Sequence, residues 1–239
     1  MDWQDQFQVN GYAHFPHITP APLVAAACEA IERDLRDNYD PTRQTEYDNQ
    51  SFCPDLKGTP PIMHLLERSP ILDIVDQALG LENVAWDNGQ IAIRRAHNVP
   101  EEVAPEPHID GFASGLNRLE EGRIYNHTAT VGVFLTPIAR TFAGNFTVWP
   151  GSHHIYESYF RERGPRALRE PPPNPKIGQP VQLRCEVGDA VFCHYQLGHS
   201  AAVNTADIDR IAVYFRIWFR DIEEWRWEAL TNIWQGWKI

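Results

Sequence analysis

At 239 residues, with 43% hydrophobic and 22% charged residues, the chain has an ordinary globular composition and the length for one sizeable domain. A net charge of −11 argues against a nucleic-acid partner, because phosphate binding needs a basic surface. No apolar run approaches the length of a membrane span, and Met1-Asp2-Trp3-Gln4-Asp5-Gln6 lacks the basic start and apolar stretch of a signal peptide. A cytoplasmic location is therefore the expectation. The four scattered cysteines, with no CxxC pair, read as buried thiols rather than disulfides or zinc ligands.

Residues 1–19 read as a short strand-like entry with a turn at Asn10-Gly11. From Thr19-Pro20 the pattern changes, and Leu23, Ala26, Ala27, Ala30, Ile31 and Leu35 recur at helical spacing, predicting an amphipathic helix over 20–37. Residues 38–60 are polar and turn-rich, a surface loop by composition. Ser69 is placed to cap a second helix over 70–79, with Ile71, Ile74, Val75 and Ala78 on one face and Gly80 ending it.

Beyond residue 83 short β-branched and aromatic runs take over: 83–86, 90–97, 130–136, 145–149, 181–184, 190–194 and 210–219. Helices followed by strands, with no βαβ rhythm, predict a mainly β fold with packed helices (α+β), a sandwich or jelly roll. The expected layout is a helical part over about 1–82, a β core over about 83–220 and a Trp-rich segment over 221–239. That last segment reads as packed on the core or as a dimer contact, so the chain is expected to be a monomer or homodimer. Ala113–Asn126 and Ile155–Pro180 interrupt the strands and read as binding or covering loops, the second opening as a short helix.

The chemistry centres on Pro105-Glu106-Pro107-His108-Ile109-Asp110-Gly111-Phe112. On extended backbone, residues two apart share a face, so His108 and Asp110 can converge on one metal ion. A further distant histidine completes a 2-His-1-carboxylate facial triad, the mark of non-heme Fe(II) oxygenases. An HxD alone can be a surface turn. Downstream, Gly188-Asp189 and the run to His199-Ser200 supply the third ligand: His199 by preference, with His194 as a competitor that also reads as a core histidine. Arg210, eleven residues after His199, can grip a carboxylate bidentately if the two flank an antiparallel hairpin, the alternative being a salt bridge with Asp207 or Asp209.

These motifs together resemble the phytanoyl-CoA dioxygenase family of Fe(II)/2-oxoglutarate-dependent oxygenases. The resemblance is carried by the entry Phe7–Tyr12, His108-Ile109-Asp110, the strand Gly144–His153 ending in Pro150-Gly151-Ser152-His153, and the closing Gly188-Asp189, His199-Ser200, Asn204 and Arg210. It implies a double-stranded β-helix core, with His108, Asp110 and His199 as metal-binding and catalytic residues and Arg210 on the far carboxylate of 2-oxoglutarate. Ser200 is a further candidate for binding the co-substrate, although it is adjacent to the histidine rather than two residues beyond it, a departure from the common pattern. The implied cofactors are Fe(II), 2-oxoglutarate and O2, with release of succinate and CO2. Halogenating relatives replace the carboxylate with a small residue, so the presence of Asp110 implies hydroxylation of a small-molecule C–H bond. Both imidazoles must be neutral to bind metal, so activity is expected to fall in mild acid. Thr130, Thr147 and Trp149 are candidates for the 2-oxoglutarate pocket where their strands face inward. Arg94, Asn145 and Phe112 are candidates for substrate, although Asn145 reads first as structural. Of Arg94 and Arg95, alternation sends one to the cavity and one to solvent. His153 and His154 read as orienting the following helix. The rival readings are a non-catalytic jelly-roll binding protein, against which the intact set of His108, Asp110, His199 and Arg210 argues, and a cupin-type metalloenzyme that does not use 2-oxoglutarate, from which Arg210 separates the hydroxylase.

Overall fold

Ten residues of alternating burial, Arg210–Phe219 (β9), form the longest strand, and both layers of the fold are built against it. The computed structural model describes residues 2–99, 101–112, 119–120, 122–169 and 175–239. β9 pairs antiparallel with Ala129–Phe134 (β4) on one side and with Gly89–Arg94 (β3) and Val84–Ala85 (β2) on the other. β4 continues to Ala190–His194 (β7) and then Tyr12–Phe15 (β1), completing a six-stranded sheet. Facing it is a three-stranded sheet, Val181–Gln182 (β6), Phe146–Val148 (β5) and His199–Ala201 (β8). The result is a double-stranded β-helix, or jelly roll, made wholly of antiparallel pairs.

Strand alternation divides the apolar residues between two cores. Val131, Val133, Phe192, Val213, Phe215 and Ile217 point out of the jelly roll and are covered by helices Ala21–Asn38 (α2), Pro60–Glu67 (α4) and Ile71–Leu79 (α5). Phe134, Val191, Cys193 and Ala212 point inward and meet Phe146 and Val148 of the small sheet. Each fully buried aliphatic or aromatic side chain here stabilises the fold by about 1.5–3 kcal/mol, so neither layer is dispensable.

Several expectations change at this level. Residues 3–10 are a helix, Trp3–Asn10 (α1), because Asp2 accepts the Gln4 N–H and Gly11 takes φ +80° to close it; the strand begins only at Tyr12. The expected loop at 38–60 contains Gln44–Asn49 (α3) and short 3-10 turns, and α4 starts at its end, where Pro60-Pro61 occupies the first turn. Ser69 does not cap α5; its hydroxyl donates to Ile18 O. His199 and Arg210 are not hairpin neighbours, since β8 belongs to the small sheet and β9 to the large one, and they face each other across the interior. Ser152–Arg163 (α6) is the helix expected near 155. The proline run and most of the loop after Phe112 lie outside the described residues.

The Trp-rich end packs on the core, as one of the two readings had it. Trp234 and Trp237 pack against Phe7, and the short helix Arg226–Thr231 (α7) leads into them. No helix among the described residues is long and apolar enough to cross a membrane.

Candidate metal centre and co-substrate cavity

The segment carrying His108 runs antiparallel to β8, and His108 and His199 exchange both backbone hydrogen bonds, at 3.0 and 2.9 Å. Directly paired residues share a face, so the two imidazoles meet, their ring centres 4.6 Å apart. Asp110, two residues on, falls on the same side. Its Oδ1 lies 3.7 Å from Nε2 of His108 and 3.7 Å from Nε2 of His199. The three donor atoms all lie within 4.8 Å of one another. His199 Nδ1 faces Leu197 O at 2.9 Å, and a carbonyl can only accept. The proton therefore sits on Nδ1, and Nε2 keeps its lone pair for a metal.

The backbone after the motif is held from two sides. Gly111 has φ +86°, and a Cβ there would lie 2.8 Å from the Tyr125 carbonyl group, so only glycine lets the two segments touch. Tyr195 Oη donates to Asp110 O at 2.7 Å. Arg216 then fixes the carboxylate itself: Nε and Nη2 reach Asp110 Oδ2 at 3.0 and 2.8 Å, while Nη1 donates to Gln90 Oε1 at 2.8 Å. Burial alone would raise the Asp110 pKa strongly, but Arg216, His199 and His127 together outweigh it and hold the carboxyl well below the usual range. Burial, with His199 beside it, pushes His108 down to about 4, leaving the imidazole neutral and able to ligate at neutral pH.

The triad opens into a cavity of about 290 Å3, which also reaches Thr130, Tyr214, Arg94 and Arg210. Arg210 is 2% exposed. Its Nε donates to Gly144 O at 2.8 Å and Nη1 to Ala92 O at 3.0 Å. Asp209 pairs instead with Arg95 and Asp207 with His97, each at 2.8 Å, and among the described residues Arg210 has no ion pair. A buried guanidinium compensated only by carbonyl dipoles is expensive and calls for an anion. Gly144 makes its position possible: a Cβ there would lie 2.9 Å from Arg210 Cβ and 3.0 Å from Arg94 Cβ.

The remaining predicted positions separate by strand face. Thr130 lines the cavity from β4. Arg94 lines it too, 3.9 Å from Asp48, while Arg95 turns to Asp209. Ser200 borders the cavity, yet it pairs with Thr147, which turns both side chains to the face of the small sheet opposite His199. Thr147 and Trp149 therefore do not line the cavity; Phe146, between them and the interior, does. Asn145 is buried and structural, its Nδ2 donating to Arg140 O and Leu183 O. Phe112 stacks on Phe160 in a separate apolar cluster and is absent from the cavity wall. Asn204 braces the turn before β9, with Nδ2 on Arg94 O and Ile208 O.

His194 has both nitrogens engaged: Nε2 donates to Ile233 O at 3.0 Å and Nδ1 accepts Gln196 N–H at 3.0 Å. It is a core histidine, and the third member of the cluster is His199. His153 and His154 both donate to Gln8 O, tying the start of α6 to α1. A second grouping, His14, Cys185 and Asp189, reads as a structural clasp. Asp189 already accepts from His14, His17 N and Glu186 N, and burial pushes the Cys185 thiol up to about 12.

Sequence reading missed Arg216, Gln90, Tyr195 and Tyr214. The signal for two of them was present: alternation from Arg210 along β9 puts Ala212, Tyr214 and Arg216 on the same inward face. Opposite Tyr214 stands Gly132, where a Cβ would lie 2.8 Å from the tyrosine ring.

A jelly roll with two histidines and an aspartate converging beside a buried, anion-seeking arginine defines the class of non-heme metal oxygenases that use an acidic co-substrate. The chain belongs to the phytanoyl-CoA dioxygenase (PhyH) family, whose sequence profile matches residues 7–212, and with that membership come Fe(II) and 2-oxoglutarate as cofactors. No curated protein matches. Solved structures share the fold at low identity. HygX from Streptomyces hygroscopicus, with nickel and 2-oxoglutarate bound, is 16% identical over 91% of this chain and 86% of its own, at a TM-score of 0.61. The α-ketoglutarate-dependent epimerase SnoN from nogalamycin biosynthesis is 17% identical over 90% and 80%, at 0.59. The non-heme monooxygenase ThoJ, as a nickel complex, is 17% identical over 91% and 77%, at 0.56.

Proposed function

We propose that the protein is a 2-oxoglutarate-dependent hydroxylase of a small metabolite, with His108, Asp110 and His199 holding Fe(II) and Arg210 receiving the far carboxylate of 2-oxoglutarate. The observation that carries this reading is Arg210, a buried cation without an ion-pair partner among the described residues, in the same cavity as the triad. The donor set fits the metal: two imidazoles and one carboxylate suit Fe(II). The cavity fits the co-substrate, because its wall carries both the triad and the polar pair Arg210 and Tyr214. Bound there, Fe(II) and 2-oxoglutarate would together activate O2, the oxidant, for attack on a C–H bond.

The chain's own residues do the rest. Arg210 gives orientation by charge-assisted hydrogen bonds. Phe146, packed 5.7 Å from the His199 ring, closes the small-sheet wall. A second cavity of about 410 Å3 abuts the first at Tyr214 and Arg216 and carries Tyr125, His127, Trp218, Arg220 and Glu223. Its mixture of charged groups and one indole supports a polar small molecule as substrate.

Anaerobic addition of 2-oxoglutarate to the Fe(II)-loaded protein is expected to produce a weak visible absorption band. Arg210→Ala is expected to weaken 2-oxoglutarate binding about a hundredfold, the scale of truncating one partner of a buried charge pair. Iron binding without any band in the unaltered protein would exclude the co-substrate. A screen of candidate metabolites for stimulated succinate release then identifies the substrate.

A further inference from the structure

A guanidinium is permanently charged, and setting one beside a site for a divalent cation opposes metal binding. Arg216 does this, and its placement is specific. Both of its contacts to Asp110 fall on Oδ2, at 3.0 and 2.8 Å. Oδ1 is left facing both imidazoles at 3.7 Å. The remaining Nη1 is tied to Gln90 Oε1 at 2.8 Å, so the guanidinium is held on both flanks and its plane is set by two different elements. Gln90 sits on β3 and pairs with Tyr214 of β9, which makes it part of the sheet rather than of a loop. Tyr195, donating to Asp110 O, restrains the backbone of the same residue.

We propose that Arg216 is a positioning residue that makes Asp110 a one-oxygen donor, keeping its second oxygen from the metal so that the vacant side is reserved for 2-oxoglutarate. This rests on the reading of the triad and co-substrate given above. The clamp explains why a cation is tolerated here: it trades some metal affinity for a carboxylate that cannot swing to chelate with both oxygens. A structural ion pair would have no such requirement and would equally well engage both carboxylate oxygens in a fork.

The test compares the unaltered protein with Arg216→Gln and Arg216→Lys, using Ni(II) in place of iron. Calorimetric titration gives the affinity for Ni(II) alone and then for 2-oxoglutarate on the nickel-loaded protein, and crystals of the nickel-loaded Arg216→Gln protein show the carboxylate. Expected for Arg216→Gln are an unchanged or higher Ni(II) affinity, both Asp110 oxygens on the metal, and at least a tenfold loss of 2-oxoglutarate affinity. Lysine, with one charged donor, should restore part of that loss. Asp110 still bound through Oδ1 alone in Arg216→Gln would overturn the proposal, even with 2-oxoglutarate affinity lowered, because Arg216 would then act on the co-substrate directly. A fall in Ni(II) affinity would also overturn it, leaving an ordinary supporting ion pair. An unaltered protein that takes no nickel would instead remove the metal site itself.

Discussion

Two clusters of histidine lie within the same jelly roll, and they could hardly be used more differently. At the triad, His108 and His199 sit where two short extended segments meet at the cavity, with one carboxylate oxygen 3.7 Å from Nε2 of each. At the other cluster, His153 and His194 lie among Trp234 and Trp237; His194 gives both nitrogens to backbone groups, and His153 gives its Nε2 to Gln8 O. What separates the candidate ligands from the packing histidines is therefore the acid set between them. Burial does not separate them. Burial pushes His194 and His108 alike to about 4.

The largest expected effect breaks the two clusters apart. Asp110→Ala should lower Ni(II) affinity by about a hundredfold or more, since even outer partners of metal ligands cost 10–100-fold, while moving the thermal midpoint of the metal-free protein little. His194→Ala should do the reverse. It unpairs Ile233 O and Gln196 N and leaves a hole beside Trp237, costing about 2–4 kcal/mol of stability with metal affinity kept within threefold. Calorimetry and urea unfolding on both variants check the pair, and a shared loss of metal binding would erase the distinction.

A further effect appears with pH in the metal-free protein. His194 titrates at about 4 when folded against 6.5 for an unperturbed imidazole, and His127 and His153 are lowered to about 3 and about 2 by burial. The unfolded chain thus binds protons that the fold refuses between pH 6.5 and 4. Stability is fully present above 6.5 and falls across that window by up to about 1.4 kcal/mol per pH unit for each such histidine. Urea midpoints at pH 7.5, 6 and 5 should decline in that order; a flat profile would mean that these groups are hydrated.

His108 and Asp110 were legible as a pair because residues two apart on extended chain share a face, whereas Arg210 was found through its distance from His199 and the family resemblance and not through the parity of its strand. What stayed hidden was pairing between distant segments. Nothing local tells that β8 leaves the sheet of β9, so the hairpin between His199 and Arg210 was drawn where the chain in fact crosses the interior. The same blindness put Thr147 and Trp149 in the pocket, since the inward parity of a three-residue strand is set by its partner. Arg216 was overlooked because its ion pair spans 106 residues. The smallest expected effect follows from this correction. Thr147→Val, on the outer face of the small sheet, should leave 2-oxoglutarate affinity within twofold; a larger loss would return that residue to the cavity.

The account stands or falls on where one metal and one dicarboxylate bind. Crystals grown with Ni(II) and 2-oxoglutarate should show anomalous density between His108, Asp110 and His199, with the far carboxylate of 2-oxoglutarate on Arg210. Nickel at His194 and His153, or at His14 and Asp189, or a co-substrate that leaves Arg210 without an anion, would contradict it.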